Sequence, residues 1–179
     1  MIIKKATQIG SPVIRKRSRV VKVVDSTQTK RVVKNLVDSM RYHELVGMAA
    51  PQIGSNLRIF VTEVTKTKYR TPSQLDGLRV FINPGIVERS KNKSVDYEGC
   101  GSVATAGIFA KVTRPSSVVV AALDEQGKKF RLKASGLLAR IIQHEMDHLD
   151  GKIFLDRPYD PSSLKSHEEY IKYKKTRLT

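Results

Sequence analysis

In the stretch "IIQHEMDHLDG", residues 141 to 151, His144, Glu145 and His148 spell H-E-x-x-H. On a helix, positions i and i+4 lie one turn apart on one face, so His144 and His148 can grip a single metal ion while Glu145 stands beside it as a base. Two ligands do not complete a site. The peptidase class that extends the motif to H-E-x-x-H-x-x-G-x-x-H is matched as far as Gly151 but meets Phe154 where its last histidine belongs. A second class takes a glutamate from a later helix, which Glu168 or Glu169 would supply from a strongly charged tail. Cys100, the single cysteine, is the better candidate, because it sits in "YEGCGS" with glycine on either side, where a ligand can approach a metal closely. One thiolate and two imidazoles leave a fourth position for water, the coordination count of a catalytic rather than a structural site.

Such a constellation needs elements to hold it. Val32, Val33, Leu36, Val37 and Met40 recur at helical spacing from Thr27 to about Arg41, which predicts an amphipathic helix. Strand-like runs follow at "RIFVTEV" (58–64), "LRVFIN" (78–83), "SSVVVAALD" (116–124) and "KKFRLKA" (128–134), the last two joined as a hairpin through "EQG". A second helix is expected from near Ser135, with Leu137, Leu138, Ile141 and Ile142 flanking the two histidines and burying the motif among the strands. "VIRKRSRVVKVV", rich in β-branched residues, reads as strand and turn, and Pro161 with its serines starts a final helix in "PSSLKSHEEYIKYKK". With no repeat or linker, residues 1–160 are expected to form a single catalytic domain and 161–179 a basic C-terminal helix or tail.

At 179 residues the chain can bury a core unaided, and no run approaches the roughly 18 apolar residues that span a bilayer. "MIIKKATQIG" lacks the apolar stretch of a secretory signal, and one cysteine suits a reducing compartment. A soluble cytoplasmic protein without a membrane partner is expected. The absence of Asp and Glu from the first 24 residues keeps an organelle matrix as the lesser alternative. The formal net charge of +16 favours polyanionic partners. The basic runs "RKRSR", "KTKYR", "RSKNK" and "KYKKTR" carry no interleaved pattern of aromatic residues, which argues against a sequence-specific reader of nucleic acid and leaves transient docking on RNA.

Three segments together resemble the peptide deformylase family: "LVGMAAPQIG" (45–54), "EGCGS" (98–102) and "QHEMDHLDG" (143–151), in the family's order. The resemblance runs from "SPVIRKRS" through "GKIFLDR" and implies an α+β fold, antiparallel sheets packed around a central helix bearing H-E-x-x-H. It implies removal of the formyl group from the N-terminal formylmethionine of nascent polypeptides. Carried over residue by residue, it makes Cys100, His144 and His148 the metal ligands and Glu145 the general base, with Gln52 and the backbone N–H of Gly101 stabilising the oxyanion. It also implies one divalent metal ion, Fe(II) in cells, although the donor set equally suits Zn(II), Ni(II) or Co(II).

Leu137 and Ile141, seven and three residues before His144, are candidates for the methionine pocket, and backbone around Val46, Gly47 and Gly99 for pairing with an extended substrate. Asp147 is a candidate to fix a histidine ring by accepting its other N–H, and Gln143 to support or cap. Departures from the family pattern are Leu45 for the first glycine of the first motif, Gly101 for a leucine, and Ala104 where proline is frequent. A glycine at 101 leaves the loop less fixed. The competing readings are an H-E-x-x-H peptidase with a downstream Glu ligand and a catalytically impaired homologue that only binds. The basic tail, beyond the chemistry, is expected to dock on the RNA surface of the ribosome.

Overall fold

The computed structural model describes residues 2–66 and 75–176, so most of "KTKYR" and Arg177 lie outside the described residues. The segment expected as strand and turn is instead a one-turn helix, α1 (Pro12–Arg15), followed by irregular chain in which Arg19 alone bridges, in parallel, to Leu57. Pro12 at the first turn presets the helical φ, and Ile14 is the apolar anchor, fully buried. Val20 and Val23, whose branching suggested a strand, stand exposed.

Helix α2 (Thr27–Tyr42) follows the predicted periodicity, and the Ser26 hydroxyl accepts from the Thr29 N–H at its start. The strands β1 (Gly47–Ala49), β2 (Ile59–Val64), β3 (Asp76–Arg89), β4 (Lys93–Gly99), β5 (Ile108–Pro115), β6 (Ser117–Leu123), β7 (Lys129–Ser135) and β8 (Lys165–Ser166) form two antiparallel sheets. One runs β1-β2-β3-β6-β7 and the other β4-β5-β8. Two further helices complete the order, α3 (Gly136–Leu149) and α4 (His167–Thr176). The final helix thus begins later than expected, because Lys165 and Ser166 extend to pair with Phe109 and Ile108 of β5 before the chain turns.

Period-two alternation in β2 explains the layering. Ile59 and Val61 join Val32, Val33, Leu36 and Met40 of α2 on one face, while Phe60 meets Phe81, Ile142, Met146 and Leu149 on the face covered by α3. A third cluster, with Ile14, Val112, Ile153 and Phe154, lies under the small sheet and includes Cys100. Helix α3 is therefore enclosed by both sheets, with His148 fully buried. Burying each Leu, Ile or Phe of these clusters stabilises by about 1.5–3 kcal/mol.

Candidate active site

The H-E-x-x-H face of α3 meets the loop that leaves β4. Ligand atoms of Cys100, His144 and His148 lie within 4.8 Å of one another, and Cys100 Sγ is 3.2 Å from His148 Nε2. Three donors of this kind, converging from a helix and a loop, fit one divalent metal ion with a position to spare. Burial pushes the Cys100 thiol up, but His148 and His144 outweigh it and hold the thiol well below its ordinary range, which is the ionised form a metal takes. Among the described residues this is the one cluster of its type; Glu168 and Glu169 stand exposed on α4, and Glu169 pairs with Lys172.

The orientation of His144 comes from Glu98, not from Asp147. His144 Nδ1–H donates to Glu98 Oε2 at 2.9 Å, which turns Nε2 toward Cys100. The Asp147 carboxylate is taken instead by Arg114, at 2.6 Å, and by Arg157. Arg114 also donates twice to Glu98 at 2.8 Å, and Arg140 donates to Glu98 at 2.7 Å, so Glu98 and Asp147 belong to one buried ion network. Glu98 was visible in the sequence as the first residue of "EGCGS", two before Cys100, where an acid beside a ligand loop has no other evident duty. Gln143 donates to the carbonyls of Pro115 and Ala139 and ties α3 to the end of β5.

Glu145 is buried next to the cluster, and its Oε2 has no hydrogen-bond partner among the described residues. Desolvation raises its pKa to about 7, against the pull of His144 and His148. Gly47 makes room for it: a Cβ there would fall 2.6 Å from Glu145 Oε1 and 2.8 Å from Ile141 Cγ2. Across the site, the Gln52 carbonyl oxygen accepts from the Ala49 N–H at 2.8 Å, which fixes the amide so that Nε2 faces Cys100 Sγ at 3.8 Å and Ser102 Oγ at 3.4 Å.

Gly101 is held although it is glycine. Gln8, a residue no motif marks, donates to the Gly101 carbonyl at 2.8 Å and accepts from the Thr105 N–H at 3.0 Å. The Ile9 N–H donates to the Ser102 carbonyl. The loop beyond has an unusual path, with Ala104, Thr105 and Ala106 all left-handed at φ 46°, 53° and 61°. Such backbone costs about 1–2 kcal/mol per residue. The Ala106 N–H bonds to the Cys100 and Val103 carbonyls and the Gly107 N–H to Ala104, which offsets part of that cost.

A cleft of about 570 Å³ opens onto the cluster. Val46, Leu137 and Ile141 line one side of it, with Ile141 buried and Leu137 half exposed. Strands β1 and β4 are edge strands of their sheets and flank it, so their free edges face the same space. The Val46 carbonyl is already engaged by the Glu63 N–H, and by the alternation of an antiparallel ladder the polar backbone groups of Gly47 face the open side. Gly99 admits the Phe109 ring, which a Cβ would meet at 2.3 Å. Residues of α4, including Tyr170 and Ile171, form another wall that the sequence did not announce.

The family model described as polypeptide deformylase matches residues 3–164. A peptide deformylase of Dictyoglomus turgidum is 37% identical over 163 residues, which cover 91% of this chain and 97% of the relative. Peptide deformylase 1A of Arabidopsis thaliana, described as chloroplastic/mitochondrial, is 40% identical over 83% of this chain and 58% of its own length. Among solved structures, a class I type b peptide deformylase from Acinetobacter baumannii with Met-Ala-Ser bound superposes with a TM-score of 0.81 at 27% identity, covering 88% of this chain and all of that one.

Proposed function

The chain belongs to the polypeptide deformylase family, and from that premise we propose how its own residues carry out the reaction. That reaction is hydrolysis of the N-formyl group from the formylmethionine that begins a nascent polypeptide. Cys100, His144 and His148 would hold a divalent metal ion, which when bound would act as a Lewis acid and lower the pKa of its water toward 7. Fe(II) is the ion we assign in cells; Zn(II), Co(II) and Ni(II) suit the same donors.

The remaining work falls to the chain. Glu145, buried beside the ligands with an unpartnered oxygen, takes a proton from the attacking water and returns it to the departing amine. The Gln52 amide, fixed by Ala49, and the Gly101 N–H donate to the oxyanion that develops on the formyl group; each such donor is worth about 2.7–4 kcal/mol in the transition state. The methionine side chain packs against Ile141, Leu137 and Val46, and the peptide backbone adds as a strand between the free edges near Gly47 and Gly99. The Acinetobacter relative with Met-Ala-Ser bound supports a peptide that begins with methionine as the ligand. Backbone pairing ignores side chains, which suits an enzyme that processes many proteins.

The convergence of Cys100, His144 and His148 beside an unpartnered Glu145 carries this reading. The test is release of formate from a formyl-Met peptide by protein loaded with Fe(II), Co(II) or Ni(II) under low oxygen. Turnover is expected with at least one; none with all three would overturn it. We further assign the ribosome surface as partner, supported by the net charge of +16, and the cytoplasm or an organelle matrix as location, supported by the absence among the described residues of a helix able to cross a membrane and by the chloroplastic/mitochondrial relative.

A further inference from the structure

The two donors assigned to the oxyanion stand on different elements: Gln52 in the turn after β1, and the Gly101 N–H in the loop after β4. One segment that carries none of the chemistry is fastened to both. The Thr7 N–H donates to the Gln52 carbonyl at 2.7 Å, and the Ile9 N–H to the Ser102 carbonyl at 2.8 Å. Between them the Gln8 amide donates to the Gly101 carbonyl at 2.8 Å and to the Ala6 carbonyl at 2.9 Å, and accepts from the Thr105 N–H at 3.0 Å. The segment is itself anchored upstream, where the Lys4 N–H donates to Ser39 Oγ of α2 at 2.9 Å.

A trans peptide is planar, with its C=O and N–H on opposite sides. The Gly101 N–H shares a peptide unit with the Cys100 carbonyl, so whatever holds that carbonyl aims that N–H. The holders are the Val103 N–H at 3.0 Å and the Ala106 N–H at 3.1 Å. Gln8 secures both sides of this arrangement. It fixes the next peptide through the Gly101 carbonyl, and through Thr105 it fixes the left-handed turn that brings the Ala106 N–H onto Cys100. Gly101 adds no restraint of its own: its φ lies outside the left-handed region, and a Cβ there would meet nothing nearer than Ala6 Cβ at 3.5 Å and Leu45 Cδ1 at 3.8 Å. With no side chain at 101 to pack, the Gln8 hydrogen bonds carry that duty.

We propose that Gln8 is a positioning residue for the hydrolysis, acting from outside the cleft lining and through Gly101 to hold that N–H where the oxyanion develops. This rests on the deformylase reading of the site. Removing an oxyanion donor outright lowers kcat by roughly 10²–10³-fold, and a donor left in place but loosened forfeits part of that, about 10-fold. The charged oxygen exists only in the transition state, so the loss falls on kcat and not on KM.

The experiment compares the wild type with Gln8→Met, which keeps the length of the side chain without its hydrogen bonds, and with Gln8→Glu, which keeps the acceptor for Thr105 and loses the donor to Gly101. At equal content of Fe(II), Co(II) or Ni(II), both are expected to lower kcat for formyl-Met-Ala-Ser roughly 10-fold, with KM within about two-fold of wild type. In Zn(II)-loaded protein the NMR order parameter of the Gly101 amide is expected to fall from about 0.85 to below about 0.6. Gly101→Ala, which the space admits, restricts the same backbone by other means, so Gln8→Met should lower kcat only about three-fold in that background. Should Gln8→Met loosen the whole N-terminal segment, seen as a lowered melting temperature, Gln8→Glu, with its Thr105 bond kept, decides the matter. Unchanged kcat in both variants, a loss that follows metal content or KM alone, or the same 10-fold loss in the Gly101→Ala background would overturn the proposal. Absence of formate from the wild type with all three metals is a different result, which removes the deformylase reading itself and the proposal with it.

Discussion

Glu145 is set by two opposed influences: burial drives its pKa up to about 7, and the imidazoles of His144 and His148 pull it down. The sign follows directly. Below about pH 7 the carboxyl of the metal-free protein holds its proton, and above that it is an anion. Infrared spectra of metal-free protein should show a buried carboxylic-acid band that disappears as pH rises through about 7, and Glu145→Gln should lack that transition. The same substitution should lower kcat by roughly 10²–10⁴-fold in the loaded enzyme with metal content unchanged, measured by formate release and metal analysis.

At the scale of elements, β4, β5 and α3 are joined by the network in which Arg114 serves both Glu98 and Asp147. Burial pushes both carboxyls up, but the Arg114 and His144 bonds on Glu98, and the Arg157 and Arg114 bonds on Asp147, hold them below the ordinary carboxylate range. Depressed folded-state values mean that this stabilisation is present above the unfolded pKa of about 4 and is lost as pH falls through the lower folded values. Removing Arg114 takes a charged partner from each of two buried anions, leaving Arg140 and His144 on Glu98 and Arg157 on Asp147, so Arg114→Leu should lower stability by about 3 kcal/mol at pH 7 in a denaturant titration. Its acid-unfolding midpoint should also move to higher pH.

The network also explains what could be read from the sequence. α2, α3, β2 and the β6–β7 hairpin declared themselves because their buried faces are apolar. β5 did not, because Arg114 occupies an inward position after Ala110 and Val112 and looks out of place until Glu98 and Asp147 are beside it. β4 is an edge strand with four exposed residues at its start, so it carries little apolar pattern. The ligands Cys100, His144 and His148 were legible through their motifs; Gln8 and Arg140 were not, since their partners are far away in the chain.

For the whole molecule, the packing of α4 changes how a polyanion would be met. Lys174 faces the cleft over the Tyr170 ring and Lys165 lies over Tyr173, whereas Lys175 and the Glu169-paired Lys172 look outward. Cutting the chain after Pro161 would remove β8 and a wall of the cleft together, so point changes separate binding from turnover more cleanly. With a net charge of +16, co-sedimentation with ribosomes should fall steeply between roughly 50 and 200 mM salt. Lys172→Glu with Lys175→Glu should weaken it further at a given salt, read by the fraction pelleted.

The three left-handed residues after Val103 limit what this loop can accept. The family resemblance would put proline at the position of Ala104, yet a proline ring fixes φ near −65°, and Ala104 lies at 46°. Placing proline there would require Ala104, Thr105 and Ala106 to change hand together and the Gln8 bond to Thr105 to break. Ala104→Pro should therefore lower the melting temperature and release metal rather than repair the loop, as thermal scans with metal analysis would record. The loop therefore accepts at 104–106 only residues that tolerate the left-handed region, and only changes that keep Gln8 and the glycine it holds.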